Sequence, residues 1–169
     1  MKYKKIALIG MMGSGKSTIS KLLSKKIKYS LAELDEIFEQ EQHMSIKEYF
    51  EKFGENNFRT LETKILKTSL QKDNIILSTG GGIILKKENR DLLNQENILT
   101  IYLETSAETI YNRIQNDTTR PLLQVENPEK KIENILNKRK KYYSQARITI
   151  NTDNKTIEKI VEEIEKWIK

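Results

Sequence analysis

The stretch Gly10-Met11-Met12-Gly13-Ser14-Gly15-Lys16-Ser17 constrains this chain more than any other. It fills every fixed position of the pattern G-x-x-x-x-G-K-S/T and follows directly on the apolar run Ile6-Ala7-Leu8-Ile9. An apolar strand feeding a glycine-rich turn that opens a helix is the setting in which this pattern binds nucleotide phosphates. The glycines let the backbone curl so that successive N–H groups face one anion. Lys16 is then placed to reach the β and γ phosphates, and the Ser17 hydroxyl to meet Mg²⁺. After Thr18, the residues Ile19, Leu22, Leu23 and Ile27 recur at helical spacing, so a helix N-terminus adds its dipole to the anion site. The expected nucleotide-binding set here is Gly13, Ser14, Gly15, Lys16, Ser17 and Thr18.

At 169 residues the chain is expected to form a single domain, 1–169, with a core of its own. It has no cysteine, so disulfides and thiolate metal sites are excluded, in keeping with a reducing cytoplasm. No apolar run approaches a membrane span, and the first strand begins within a few residues of Met1, so a cytoplasmic protein that neither meets a membrane nor is exported is expected. The net charge of +6 raises nucleic acid as a partner, but its distribution points elsewhere. Residues 1–30 carry eight lysines and no acid, whereas 33–62 carry nine acids against three basic residues. Positive potential is thus concentrated at the glycine-rich loop. Aromatic residues are not interleaved with the lysines as a stacking surface for single strands would require.

Along the chain, short apolar strands alternate with amphipathic helices. Strands are expected at 6–9, 29–34, 74–79, 98–103 and 147–150. Helices are expected from Asp35 to Gln42, Ser45 to Phe53, Glu55 to Leu70 with Gly54 as the break, and Lys87 to Leu93. Ser106 reads as the N-cap of a helix ending near Gln115, and a basic helix runs from Pro128 to about Gln145. A last amphipathic helix carries Ile157, Ile160, Val161, Ile164 and Trp167. The polar span 116–127 has little periodicity and reads as a loop. Such alternation predicts an α/β fold, a parallel five-stranded sheet covered on both faces, with ligands beyond the carboxyl ends of its strands. The glycine-rich loop, the pair Glu33 and Asp35, the triplet Gly80-Gly81-Gly82 and the segment after Leu103 all fall at those ends.

Further motifs follow in order: E-L-D-x-x-x-E at 33–39, G-E-N-N-F-R at 54–59 with Glu62, the triple glycine at 80–82, R-P-L-L at 120–123, and Arg139 with Tyr143 four residues on. Together with G-M-M-G-S-G-K-S-T, this set resembles the shikimate kinase family through nearly the whole chain. The resemblance implies the three-layer α/β/α P-loop kinase type, with substrate-binding helices at about 35–62 and a lid at about 116–127. It implies transfer of the ATP γ-phosphoryl group to the 3-hydroxyl of shikimate, with Mg²⁺ as cofactor; a monomer is expected, although the sequence does not itself give the oligomeric state. By the same resemblance Lys16, Asp35 and Arg120 are catalytic, Asp35 accepting the hydroxyl proton and Arg120 arriving with the lid. Arg59 and Arg139 bind the shikimate carboxylate, a planar anion suited to guanidinium. Glu62, three residues after Arg59, holds that guanidinium in position. Gly80, Gly81 and Gly82 let backbone approach the substrate, Phe50 and Phe58 wall its ring, and Arg113 stacks on adenine. Ser17 and Glu33 are the metal-site residues.

The match departs from the family at three places. Glu33 stands where the family usually has aspartate, which lengthens that arm by a methylene. The segment Thr152-Asp153-Asn154-Lys155-Thr156 lacks the proline usually opposite the adenine-stacking arginine. The basic helix admits a second register, with Lys138 instead of Arg139 at the carboxylate position, about 100° away around the helix; the bidentate fork selects Arg139. His43, the single histidine, lies among polar residues and reads as exposed. Competing readings are a related P-loop kinase with another small acceptor such as gluconate, a nucleotide-binding regulator without catalysis, and a basic nucleic-acid module.

Overall fold

The structure, a computed structural model, describes residues 2–116 and 125–168. The first strand, β1 (Lys5–Ile9), runs through the loop into α1 (Lys16–Ile27). Next come β2 (Ser30–Glu33), α2 (Leu34–Gln42), α3 (Ile46–Ser69), β3 (Ile75–Ser78), a short 3₁₀ turn (Ile83–Leu85) and α4 (Lys87–Leu93). The chain continues with β4 (Ile98–Glu104), α5 (Ala107–Ile114), α6 (Pro128–Tyr143), β5 (Ile148–Asn151) and α7 (Ile157–Ile168). The five strands form one sheet in the order β2-β3-β1-β4-β5, every neighbouring pair parallel. The expected α/β architecture is present.

Strand β1 lies at the centre, and its residues Ile6, Ala7 and Leu8 are fully buried because both faces of the sheet are covered. One face packs Ile6 and Leu8 against Ile19 and Leu23 of α1 and Ile160, Val161 and Ile164 of α7. The other packs Ala7 and Ile9 with Phe38 of α2, Phe58 and Leu66 of α3 and Tyr143 of α6. Leu8 pairs with Ser78 and Glu33 pairs with Ser78. The carboxyl ends of β1, β2 and β3 are therefore level, and the three segments that follow them open onto one rim.

Several boundaries differ from the sequence reading. Helix α1 begins at Lys16, so that Lys16 and Ser17 belong to its first turn. Helix α3 is continuous from Ile46 to Ser69 except at Gly54, whose φ of 78° and ψ of 166° kink it where the break was expected. The turn at Ile83–Leu85 was not anticipated. Trp167 is 54% exposed, and the buried stripe of α7 instead ends on Ile168, four residues after Ile164. His43 is exposed and ends α2 in a left-handed conformation. Arg120 and most of the span expected to be a lid, residues 117–124, lie outside the described residues.

Candidate active site

The cleft at the level ends of β1, β2 and β3 measures about 310 Å³ and is lined by Gly13, Lys16, Ser17, Glu33, Asp35 and Gly81 among others. Its first wall is the loop of residues 10–15. Gly15, the N-cap of α1, sits at φ 92°, a backbone region that side-chain-bearing residues rarely adopt. No side chain caps α1 and no acid lies in its first turn. By contrast α3, α5 and α6 are capped by Ser45, Ser106 and Asn127. The uncapped N–H groups and the helix dipole make the start of α1 an anion site. Lys16 Nζ donates to the Gly10 and Met11 carbonyls at 2.8 and 2.9 Å, which holds its ammonium inside the loop.

The second wall carries the acids. Ser17 Oγ stands 3.5 Å from Ser78 Oγ, the residue paired to Glu33 across the sheet. Glu33 Oε1 forms an ion pair with Lys21 Nζ at 2.8 Å, and Lys21 also reaches Glu36 at 3.8 Å. Asp35, in the first turn of α2, is open to the cleft but backed by protein on its other sides. The loss of bulk water there raises its carboxyl above the ordinary range; Lys16 and Arg59 oppose the rise, while Glu39 and Glu33 add to it. A carboxylate with a raised pKa is better matched to accepting a proton than an unperturbed one.

Gly81, the middle residue of the triple glycine, completes the lining, with Gly80 and Gly82 on either side of it. None of the three has positive φ; what they supply is room. A Cβ added to Gly80 would stand 2.9 Å from Asp35 Oδ1 and 3.0 Å from Glu62 Oε1. One added to Gly81 would stand 3.1 Å from the Met12 amide nitrogen, and one on Gly82 only 2.3 Å from Arg59 Nη2. Successive glycines thus abut α2, the phosphate-binding loop and α3, so any larger residue would press on the side chains of Asp35, Glu62 and Arg59 or on the loop backbone.

Arg59 is clamped from its own helix. Nη1 donates to Glu62 Oε2 at 2.8 Å and Nε to Glu55 Oε1 at 3.2 Å, while the guanidinium lies over the Phe58 ring at 4.9 Å. Glu62 is only 4% exposed. Burial raises its pKa, and the neighbouring Arg59 cation opposes the rise. Phe58 is in the core and Phe50 packs on it at 4.6 Å, so these two aromatics brace the helix behind Arg59. Arg139 reaches the glycines from α6, its Nη1 donating to the Gly81 carbonyl at 3.2 Å, whereas Lys138 is exposed. Arg113 donates to the carbonyls of Gly13 at 3.2 Å and Thr152 at 3.4 Å, bridging the phosphate-binding loop to the segment without the proline.

Three contributors were missed in the sequence. Asn89 Nδ2 donates to the Ile83 carbonyl, and Arg90 Nη1 to those of Ile84 and Leu85, so α4 fixes the turn that follows the glycines. Tyr143, noted only as part of a motif, donates its hydroxyl to the Gly81 carbonyl at 2.6 Å. No local pattern marks Asn89 or Arg90, since their partners are carbonyls that exist as acceptors only once the turn forms.

A parallel sheet in the order 2-3-1-4-5, with a phosphate-binding loop between its central strand and first helix, defines a P-loop kinase. A family model described as shikimate kinase matches residues 12–169. The shikimate kinase of Thermodesulfovibrio yellowstonii is 40% identical over 163 residues, spanning 96% of this chain and 94% of that relative. That of a Sulfurihydrogenibium species is 40% identical over 166 residues, 98% of each chain. A solved shikimate kinase from Acinetobacter baumannii, in complex with shikimate, matches with a TM-score of 0.91 at 35% identity, covering 98% of this chain and 93% of that one. The chain belongs to the shikimate kinase family.

Proposed function

We infer that this chain transfers the γ-phosphoryl group of ATP to the 3-hydroxyl of shikimate, giving shikimate 3-phosphate and ADP. The observation that carries the reading is the convergence of Asp35, Arg59 and Arg139 on three consecutive glycines, beside a phosphate-binding helix start. One carboxylate lining the cleft, with two guanidinium groups against the glycines at its edge, complements an acceptor with hydroxyls and a carboxylate. Gluconate offers a carboxylate and hydroxyls too, but membership of the shikimate kinase family favours shikimate over it.

In this reading Lys16 and the amides at the start of α1 hold the β and γ phosphates, and Arg113 lies against the adenine. Arg59, kept in orientation by Glu62 and Glu55, and Arg139 bind the acceptor's carboxylate. Asp35 accepts from the acceptor hydroxyl and receives its proton as the oxygen attacks phosphorus. Arg120 would supply a further cation to the transferring group, since phosphoryl transfer depends on positioning and charge neutralisation more than on covalent chemistry. The oxygen donors at the cleft fit a small hard cation. Ser17 and Glu33 line it together, and among the described residues no cluster of three or more acids, histidines or cysteines forms a cage. Mg²⁺ suits such a sparse set, because it keeps waters and phosphate oxygens as most of its ligands. Ser17 and Glu33 would hold it, and it supplies charge neutralisation on the phosphates when bound. We read the protein as a cytoplasmic monomer acting on small molecules, without nucleic acid or membrane; no helix among the described residues is long and apolar enough to cross a bilayer.

The test is ADP release from Mg·ATP with shikimate, with gluconate and with no acceptor. Stimulation by shikimate alone, with one phosphate incorporated per molecule, is expected. Equal stimulation by gluconate, or none by either, overturns the reading.

A further inference from the structure

We propose that Tyr143 is a positioning residue of the acceptor site: by taking the Gly81 carbonyl as its own hydrogen-bond partner, it keeps the neighbouring Arg139 guanidinium from settling onto that carbonyl. The inference rests on the reading that Arg139 meets the carboxylate of shikimate. The Gly81 carbonyl receives two donors from one helix, the Tyr143 hydroxyl at 2.6 Å and Arg139 Nη1 at 3.2 Å. A carbonyl oxygen has two lone pairs, and the shorter contact is the stronger. Arg139 is therefore the weaker partner of that oxygen. Its other polar contacts are a long one, from Nη1 to Met11 Sδ at 3.8 Å, and an interaction with the Tyr143 hydroxyl itself, which opposes the rise of the phenol pKa.

Tyr143 is well suited to holding a carbonyl rigidly. It is fully buried at the end of α6, and its ring stacks on Tyr102 with centroids 4.8 Å apart and planes 2° from parallel. Burial raises its phenol pKa, with Arg139 opposing, so the hydroxyl stays a donor throughout the neutral range. Gly81 is in turn wedged between that hydroxyl and the phosphate-binding loop, where an added Cβ would stand 3.1 Å from the Met12 amide nitrogen. Without the hydroxyl, Gly81 would rely on Arg139 as its side-chain donor. An unsatisfied buried carbonyl is costly, which would draw the guanidinium onto the loop and away from the acceptor.

The experiment is a double-mutant cycle of Tyr143→Phe and Arg139→Ala, read by calorimetric titration with shikimate and, separately, with ATP. Tyr143→Phe keeps the ring stack. It is expected to weaken shikimate binding about threefold to tenfold, the size of one net hydrogen bond. The shikimate KM should rise more than kcat falls, and unchanged ATP affinity would show that the variant is folded. In the Arg139→Ala background, Tyr143→Phe should have no further effect, because its action runs through the arginine. Additive losses, or equal weakening of ATP and shikimate, overturn the proposal while leaving the function intact. Failure of the unmutated protein to bind shikimate overturns the functional reading, and this inference with it.

Discussion

On the proposed nucleotide side of the cleft, the groups assigned to the phosphates lie within residues 10–18 and are positioned by the backbone beside them. On the proposed acceptor side, Asp35, Arg59, the glycines 80–82 and Arg139 meet only because α2, α3 and α6 pack around one loop. The first kind of site depends on local conformation. The second depends on the distances between elements, and those distances are set where a glycine leaves no room for a side chain. Substitutions should therefore separate the two halves, disabling chemistry on one side and acceptor recognition on the other.

The largest effect is expected from Lys16→Ala, which removes the cation proposed to meet the phosphates. Loss of one preorganised group that neutralises transition-state charge costs about 10²–10³ in turnover; a loss of at least this size is expected here, read as ADP release, with shikimate affinity nearly unchanged. Turnover within tenfold of the parent would break the assignment of Lys16 to chemistry.

Next comes Gly82→Ala. Its Cβ would stand 2.3 Å from Arg59 Nη2, so the guanidinium must leave its place between Glu62 and the loop. Shikimate binding should weaken about tenfold or more, the size of a charge-assisted hydrogen bond, and ATP binding should not change. Gly81→Ala sharpens the contrast: its Cβ would press on the Met12 backbone, so titrations should show both ligands weakened. If the two alanine variants behave alike, the halves are not mechanically separate.

Smaller is the pH dependence attached to Glu62. Burial raises its carboxyl pKa in the folded state. The folded protein then binds a proton that the unfolded chain has released, so this contribution to stability is present below the ordinary glutamate value and is lost as pH rises through the raised one. Glu62→Gln lacks that loss. Denaturant titrations from acid to neutral pH should show the variant gaining on the parent as pH rises. Asp35 is raised as well and its charge adds to the rise at Glu62, so the difference between the two proteins reports Glu62 together with its coupling to Asp35. Parallel stability curves would mean that Glu62 has no raised pKa in the folded state.

The same division governs what the sequence made legible. The phosphate-binding loop could be read in full, since a contiguous pattern dictates its backbone. The five strands could be read because buried parallel strands are short apolar runs. Arg59 and Glu62 were readable as neighbours on one helical face. For Gly80, Gly81 and Gly82 the sequence suggested a close approach of backbone to substrate, whereas the neighbours that leave no room for a side chain there belong to Asp35, Glu62, Met12 and Arg59. Tyr143 and Gly81 are 62 residues apart, and nothing in either local sequence announces the other. Contacts that exist only after packing have no periodicity to reveal them.

The kink at Gly54 tests whether acceptor recognition extends into the bend of α3. At φ 78° and ψ 166° the backbone is in a region essentially restricted to glycine, yet an added Cβ would meet no atom within 4 Å. Gly54→Ala therefore isolates backbone strain from collision, at about 1 kcal/mol or somewhat more. Alanine also favours a straight helix, which would swing Tyr49 and Phe50 away from Phe38 and Phe58, their partners at 5.0 and 4.6 Å. Because Arg59 is clamped from its own side of the kink by Glu55 and Glu62, the expected change in shikimate affinity is the smallest of the series, with stability lowered and ATP binding unaltered. A loss of shikimate affinity as large as that of Gly82→Ala would show that the aromatic brace ahead of the kink, and not the local carboxylates, sets the position of Arg59.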